Sequence, residues 1–553
     1  MKLVIIGSVA AGTSVGAKAR RNSEELEITV YDKDVDISYS GCGIPYYVGG
    51  TVEALDDLTP RNAAWFKKRY SMDIHTAHEV MNVDHESKTL TIKNLATGET
   101  LTDTYDTLVL ATGATSFIPP INGVDASNVF SVRNIRHADA IRSFVDREDP
   151  KQAVVVGGGF IGLEMAEQLT ERGIKVTLIE RLNQVMPPLD ADMAARVSAH
   201  LADKGVELKL GETVKELHHA EAGTKVELES GEVVDTDFVI MSVGVRPNTT
   251  LAKQIGVELG ATGAVKVNKQ MQTNVQDVYA VGDVAESFSL ITGKPIYRPL
   301  GSTANKMGRI AGQVITGEQT EHRGILGTGI FKIFDLAVAQ TGLTEKEAEE
   351  HGYETAVLHN IKPDRPEYLG GKEMVIKALA DKESGRLLGA QIVGPQGVDK
   401  RIDVFATAIS FGAKAEDLFH LDLAYAPPFA TTKDPVMYTG MALHNALTEK
   451  SPLLTPQQLL AWMKEGKALQ VIDTRATSQY EKAHVDHAVN IPLGALREKA
   501  STLDPSIVTV VYCNKGTTGN AAQNILQNLG FDKVYNISGG HKNYQHVKKQ
   551  LDL

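Results

Sequence analysis

Residues 153–181 read AVVVGGGFIGLEMAEQLTERGIKVTLIER: an apolar run, three glycines, an amphipathic stretch and a second apolar run that ends in an acid. The apolar runs have the length and β-branched content of buried strands, and the stretch between them suits a helix. The segment therefore predicts strand, tight turn, helix, strand. Gly157, Gly159 and Gly162 form G-x-G-x-x-G directly after the first strand, and Glu180 closes the second strand 18 residues beyond Gly162. Glycines there let backbone N–H groups and the helix N-terminus meet a pyrophosphate, while the carboxylate accepts hydrogen bonds from ribose hydroxyls. Glu180 repels a 2′-phosphate, which favours NADH; the neighbouring Arg181 keeps NADPH open.

The same order opens the chain. KLVIIG (2–7), GSVAAGTSVGAKARR (7–21) and LEITVYDKD (26–34) read as strand, glycine turn with helix, and strand. Gly7 and Gly12 are present, Val9 stands at the middle glycine position, and Asp32 supplies the acid. Two such openings about 150 residues apart predict two doubly wound nucleotide-binding units with parallel sheets. Two nucleotides suggest electron transfer between them. LVLATGA (108–114) places Thr112 and Gly113 at a strand end, and DVYAVGDVAE (277–286) places Asp283 after a strand and Gly282; both support the first site. Beyond 320, GILGTGIFKIFDLAVAQTG and EMVIKALADKESGRLLGAQIVG suit antiparallel hairpins of a separate mixed domain. NALTEKSPLLT (445–455) reads as a linker, and a fresh α/β alternation runs to the end.

A length of 553 residues predicts three or four domains. With 42% hydrophobic residues and no run long enough for a membrane helix, no membrane partner is expected. The opening MKLVIIG reads as a strand rather than a secretory signal, so the cytoplasm is the expected location. A net charge of -12 argues against nucleic acid, although Arg20-Arg21 and Lys67-Lys68-Arg69 could hold a small phosphorylated ligand. The two cysteines, Cys42 and Cys513, give neither a disulfide framework nor a metal site, so each matters as a reactive thiol.

Together these motifs resemble the FAD-dependent pyridine nucleotide disulfide oxidoreductases over residues 1 to about 445. The resemblance implies an α/β fold with two doubly wound, glutathione-reductase-like domains: a discontinuous FAD-binding domain (1–112 and 245–320) and an NAD(P)H-binding domain (113–244). An α+β dimerisation domain (321–445) follows, and a homodimer is expected. FAD is expected along Gly7, Val9, Ala11, Gly12, Asp32, Lys33, Ala111, Thr112, Gly113, Gly282 and Asp283, the last reaching the ribityl chain. NAD(P)H is expected along Gly157, Gly159, Phe160, Gly162, Glu180 and Gly244.

Better-known members carry two nearby cysteines, whereas DISYSGCGIPYYVGG (36–50) holds Cys42 alone. A thiol without a neighbour must pair with an external sulfur or oxygen. Gly41 and Gly43 suggest close backbone approach, and a helix opening at GIPYYVGG would lower the thiol pKa through its dipole. Among single-cysteine relatives, peroxidases and oxidases place a histidine in the first glycine turn, where this chain has Ala10 and Ala11. The S-x-x-x-C-G-x-P-Y stretch (Ser38, Cys42, Gly43, Pro45, Tyr46) and A-Y-A-P-P (424–428) instead resemble coenzyme A disulfide reductases, with Gly41 where that branch has asparagine. This implies that Tyr425 and Tyr368 reach the partner's active site and hydrogen-bond or protonate a leaving thiolate. It also implies that Ser14, Lys18, Arg21, Ser38, Asn305 and Lys433 line a coenzyme A channel.

QVIDTR (470–475), AHVDHAVNIPL, TVVYCNKGTTGNAAQNILQNLGF and ISGGHKNY resemble a rhodanese domain at 455–553, with Cys513 opening a loop at a helix N-terminus suited to a thiolate or persulfide. Many rhodaneses carry an arginine in that loop; Lys515 here points to low-molecular-weight persulfides rather than thiosulfate. The expected activity is NADH-dependent reduction of coenzyme A persulfide, coenzyme A disulfide or polysulfide through FAD and Cys42, with Cys513 moving sulfane sulfur. The alternatives are an NADH oxidase acting on oxygen through a Cys42 sulfenate, and a sulfurtransferase or persulfide carrier.

Overall fold

The first apolar run becomes the strand Lys2–Ile6, the centre of a five-stranded sheet in the order Val278–Ala280, Thr107–Leu110, Lys2–Ile6, Glu27–Tyr31, Asp73–His75, parallel throughout. Leu3, Val4 and Ile5 are fully buried, as a strand covered on both faces requires. Each such side chain contributes about 1.5–3 kcal/mol relative to exposure. The outer strand Val278–Ala280 returns after the whole second nucleotide unit, whose own sheet runs Glu207–Leu210, Lys175–Glu180, Gln152–Val156, Phe238–Met241, Val129–Ser131, also parallel. The chain leaves and re-enters the first sheet through a two-stranded antiparallel pair, Ala114–Ser116 with Val245–Pro247.

In this computed structural model residues 1–220, 223–448 and 450–550 are described. The chain divides into two units: Met1–Asn183 with Gly205–Ile325, and Gln184–Lys204 with the chain from Leu326 on. The helix Ala191–Asp203, expected in the second nucleotide unit, groups instead with the C-terminal unit. Asp190 and Asp192 at its start each lie 3.0 Å from the Lys377 ammonium, and its Met193, Val197 and Leu201 are buried.

The C-terminal unit carries the expected antiparallel sheet, in the order Gly329–Ile333, Leu336–Gly342, Leu387–Gly394, Glu373–Asp381, Thr355–Pro363. Its last layer is a parallel sheet in the order Leu453–Leu454, Val534–Ile537, Val508–Tyr512, Leu469–Asp473, Val489–Asn490. The expected linker at 445–455 is shorter than its composition suggested. The helix Pro435–Leu447 runs into it, capped by Asp434 with Pro435 in its first turn, and Leu453–Leu454 already pairs with the last sheet. Residue 449 of that linker and residues 551–553 of the rhodanese span lie outside the described residues. No described helix is long and apolar enough to cross a membrane.

Candidate active site

Cys42 is exposed and sits in a single 3-10 turn, Gly41–Gly43, closed by the Gly43 N–H donating to the Ser40 carbonyl at 3.0 Å. A Cβ on Gly43 would fall 2.4 Å from Leu58 Cδ2, so the end of that side chain would have to turn aside, whereas Gly41 has only an ordinary contact at 3.8 Å. The following helix, Ile44–Gly49, is six residues long, with Pro45 in its first turn. It is clamped from the second nucleotide unit. Arg142 Nη1 donates to the carbonyls of Tyr47 (3.0 Å), Val52 (3.0 Å) and Glu53 (3.1 Å), and Arg172 Nη1 to that of Val48 (3.1 Å). Gly49 meets the helix Phe160–Glu171 so closely that a Cβ would lie 2.0 Å from Gln168 Oε1.

The expectation that the helix lowers the Cys42 pKa is not met. Partial desolvation pushes the thiol up, the carboxylates of Glu164 and Asp283 push the same way, and only the Arg133 guanidinium opposes them. A six-residue helix behind a 3-10 turn has too little dipole to reverse that balance. Glu164 is itself pushed up to about 7 by burial and by Glu167, and burial beside Glu164 pushes Tyr46 up to about 12. Arg133 Nη2 donates to Asp283 Oδ2 at 3.0 Å, and the Tyr297 hydroxyl to the Asp283 carbonyl at 2.8 Å. Arg133 and Glu164 escape a reading of the sequence because no motif spacing links them to Cys42.

The first glycine turn is a tight cradle. Gly7 has φ 108, and a Cβ on it would lie 2.2 Å from the Ala111 carbonyl oxygen; a Cβ on Gly12 would lie 1.9 Å from that of Gly7. Gly282 packs against Ala11, where a Cβ would come within 2.8 Å of the alanine's, so the first and last segments of the site meet. Asp32 accepts from Ser8 N (2.8 Å), Ser8 Oγ (2.7 Å) and Asp34 N (2.9 Å), which leaves acceptor capacity for a ribose, and burial pushes its carboxyl up. Lys33 is exposed just beyond it and Val9 half-buried in the turn. Thr112 and Asn248 exchange hydrogen bonds at 2.8 Å, next to Gly113 with φ 66. In the second turn a Cβ on Gly159 would meet nothing within 4 Å, which leaves the space a phosphate would take at the start of the helix carrying Phe160. Gly162 approaches the Gly157 carbonyl, and Glu180 accepts from Gly158 N at 2.7 Å. Gly244 adopts φ 105 after the strand Phe238–Met241. Both cradles fit a dinucleotide.

Of the expected coenzyme A residues, Ser14, Lys18 and Asn305 share one seam. Ser14 Oγ donates to Asn305 Oδ1 at 2.6 Å across the helices Ala11–Asn22 and Gly301–Ile315, and Lys18 pairs with Glu318 at 3.0 Å. Ser38 takes φ 49, its N–H on the Ser8 carbonyl. Arg21 donates to the Tyr70 hydroxyl at 2.8 Å, and Arg20 is buried on five backbone carbonyl contacts, so the Arg20-Arg21 run is half structural. In the C-terminal unit Tyr368 and Tyr425 are 77% and 50% exposed, and Arg365 Nη1 donates to the Pro428 carbonyl at 3.3 Å, tying their two segments together. Lys433 is exposed just before the helix Pro435–Leu447.

Cys513 is buried at the end of the strand Val508–Tyr512, and the Gly516 N–H points to its sulfur at 3.2 Å. It lines a recess of about 220 Å³ with Arg475, Gln479, Asn514, Lys515, Thr517 and Thr518. An arginine therefore does flank this cysteine, supplied by IDTR rather than by the loop. It is held by Asp473 at 2.6 Å, by the Ala483 carbonyl at 2.7 Å and against His541 Nδ1 at 2.9 Å.

An NAD(P)H sulfur oxidoreductase (CoA-dependent) of Pyrococcus furiosus is 39% identical over 444 residues, 80% of this chain and 99% of the relative. An NADH oxidase of Methanocaldococcus jannaschii is 37% identical over 453 residues, 82% of this chain and 100% of the relative. The solved structure of reduced Bacillus anthracis CoADR-RHD matches with a TM-score of 0.96 and 38% identity, over 99% of this chain and 98% of that one. The pyridine nucleotide-disulphide oxidoreductase model matches residues 1–304, its dimerisation domain 329–435, and the rhodanese-like domain 455–546. With its two dinucleotide cradles, its dimerisation sheet and an appended rhodanese-like domain, the chain belongs to the pyridine nucleotide-disulphide oxidoreductase family.

Proposed function

We propose that this chain is a homodimeric NAD(P)H-dependent reductase of coenzyme A persulfides and disulfides, in which Cys42 is the nucleophile and Cys513 handles sulfane sulfur. The carrying observation is the placement of its only two cysteines, one exposed beside two dinucleotide cradles and one lining a rhodanese recess. The CoA-dependent sulfur oxidoreductase of Pyrococcus furiosus supports the substrate class, and the full-length likeness to CoADR-RHD supports the joint use of both parts.

The family implies FAD and NAD(P)H. FAD would lie along Gly7, Gly12, Asp32, Thr112, Gly113 and Asp283, and the pyridine nucleotide along Gly157, Gly159, Gly162 and Glu180. Glu180 favours NADH by repelling a 2′-phosphate. When bound, FAD reduced by NAD(P)H supplies the two electrons that cleave an S–S bond held at Cys42. The chain's own part starts with the Cys42 thiolate attacking a sulfur of the substrate, so that a new S–S bond forms as the old one breaks and its electron pair leaves on a thiolate. Tyr425 and Tyr368, exposed on the C-terminal unit, supply a hydrogen bond or proton to that thiolate from the partner subunit. Ser14, Lys18 and Asn305, gathered on one seam, hold the coenzyme A phosphate end together with Arg21 and Ser38. The cytoplasm, where thiols stay reduced, suits two free cysteines.

The test is anaerobic NADH oxidation with coenzyme A persulfide and, separately, coenzyme A disulfide, using wild type, Cys42→Ser and Cys513→Ser. We expect turnover that Cys42→Ser abolishes. Turnover that begins only when oxygen is admitted would instead place the chain with the NADH oxidase it also resembles. Sulfur movement that depends on Cys513 with negligible NADH use would make it a sulfurtransferase.

A further inference from the structure

Lys362 lies near the end of the strand Thr355–Pro363 of the antiparallel sheet, outside the rhodanese-like domain, yet its Nζ donates to Thr517 Oγ1 at 2.9 Å, on the rim of the Cys513 recess. The ammonium also stands 4.1 Å from the centroid of the Tyr438 ring, and Lys433 Nζ stands 5.8 Å from the same ring. Lys515, on the recess wall, is bonded to Glu373, which takes Lys542 at 2.7 Å as well. Lys433 and Lys362 thus share one aromatic ring, and Lys362 reaches the rim of the recess that Lys515 and Cys513 line. Lys515 shares the Glu373 carboxylate with Lys542, whereas neither Lys362 nor Lys433 has a carboxylate partner among the described residues. Burial and the neighbouring Lys515 charge pull the Lys362 pKa down, while the Cys513 charge holds it up. Arg475 cannot serve as the open cation here, because Asp473 and His541 hold its guanidinium.

We propose that Lys362 is a substrate-positioning residue of the Cys513 site, and that with Lys433 it holds the charged end of an anionic low-molecular-weight persulfide while the terminal sulfur reaches Cys513. This rests on the reading that Cys513 handles sulfane sulfur. In the step it serves, the Cys513 thiolate attacks the outer sulfur of R–S–SH and a new S–S bond forms. The donor's S–S bond breaks with its electron pair on sulfur, which gives Cys513–S–SH and RS⁻ with no net oxidation.

The test alkylates the full chain with anionic iodoacetate and neutral iodoacetamide and follows each cysteine by peptide mass spectrometry, with Cys42 as internal reference. The iodoacetate/iodoacetamide ratio at Cys513 falls about fivefold in Lys362→Met, the loss expected for one unit charge at contact distance in water. Lys362→Arg keeps the wild-type ratio. In wild type the advantage of iodoacetate at Cys513 fades with added salt more than at Cys42. A ratio unmoved by Lys362→Met, or lowered equally by Lys362→Arg, overturns the proposal, as does a wild-type ratio indifferent to salt. In sulfur transfer from coenzyme A persulfide to cyanide, Lys362→Met raises KM more than it lowers kcat. The alkylation arm needs neither coenzyme A nor NADH, so it decides on Lys362 even if the reductase reading fails.

Discussion

Glu164 lies on the helix that follows the second glycine turn, and its carboxylate is one of two that hold the Cys42 thiol up. Because its own pKa is pushed up to about 7, its charge appears as pH rises through neutrality, where it opposes thiolate formation at Cys42. Cys42 reactivity should therefore climb less steeply with pH than that of an isolated thiol. In Glu164→Gln that opposition is gone at every pH. The midpoint of Cys42 alkylation by iodoacetamide moves to lower pH and the rate at neutral pH rises severalfold. A midpoint identical to wild type would show that Glu164 has no part in setting the thiol, which desolvation and Asp283 would then raise without it. The sequence exposed Cys42 through its solitude between glycines, but not this control of it. Glu164 is 122 positions away and falls inside a motif whose legible part is its glycines. Arg475 was hidden differently: it stood in a quoted motif, and only the fold turns it toward the loop of Cys513.

At the scale of elements, the strands and glycine turns were legible because a buried parallel strand is a continuous apolar run and its turn needs particular glycines. What packs against what was not. The helix Gly301–Ile315 lies against Ala11–Asn22 through Gly308 and Gly312, where Cβ atoms would stand 2.4 Å from the Ala11 carbonyl oxygen and 2.7 Å from that of Val15. These contacts are with backbone, so they cannot be relieved by turning a side chain. Gly308→Ala should cost about 1–3 kcal/mol through overpacking and, because Ala11 opens the nucleotide helix, should reduce the flavin retained on purification. Gly301→Ala on the same helix faces open space and serves as the control, with thermal midpoint and bound flavin near wild type. Equal losses in the two variants would mean that helix approach at Gly308 does not govern the site. The ends of the linker belong to this scale too. Polar composition and Ser-Pro marked 445–455 as a break, but Asp434 caps a helix that carries on to Leu447.

Across the whole chain, four domains were legible as four changes of texture, but nothing in the texture told how the last of them is attached. In the C-terminal unit the attachment is a buried polar knot. His359 N donates to Ser538 Oγ at 2.7 Å, His359 Nε2 meets Asp192 Oδ2 at 2.5 Å, and Lys377 Nζ lies 3.0 Å from Asp190, 3.0 Å from Asp192 and 2.9 Å from Glu345. Arg196 Nη2 donates to Asn543 Oδ1 at 2.6 Å, so the helix Ala191–Asp203, the antiparallel sheet and the rhodanese-like layer are tied at one place. Burial alone would push Asp192 up, but His359 and Lys377 pull it well below the carboxylate range. A carboxylate depressed in the folded chain contributes stability at every pH above its unfolded value of about 3.9, and loses it only as pH falls toward the native value. Asp192→Asn should therefore destabilise this unit by about 3 kcal/mol across the neutral range, since it leaves His359 and part of the Lys377 charge buried without their partner. The difference from wild type should hold constant from about pH 5 to 8 and shrink in stronger acid, where wild-type Asp192 protonates too. Hydrogen exchange reads this without assuming that so large a chain unfolds in one step. Amides of the strands Thr355–Pro363 and Val534–Ile537 exchange faster in Asp192→Asn, while those of Lys2–Ile6 do not. Unchanged exchange in the first two strands would show that Asp192 does not hold the rhodanese-like layer in place, and that the apolar contacts of that layer suffice.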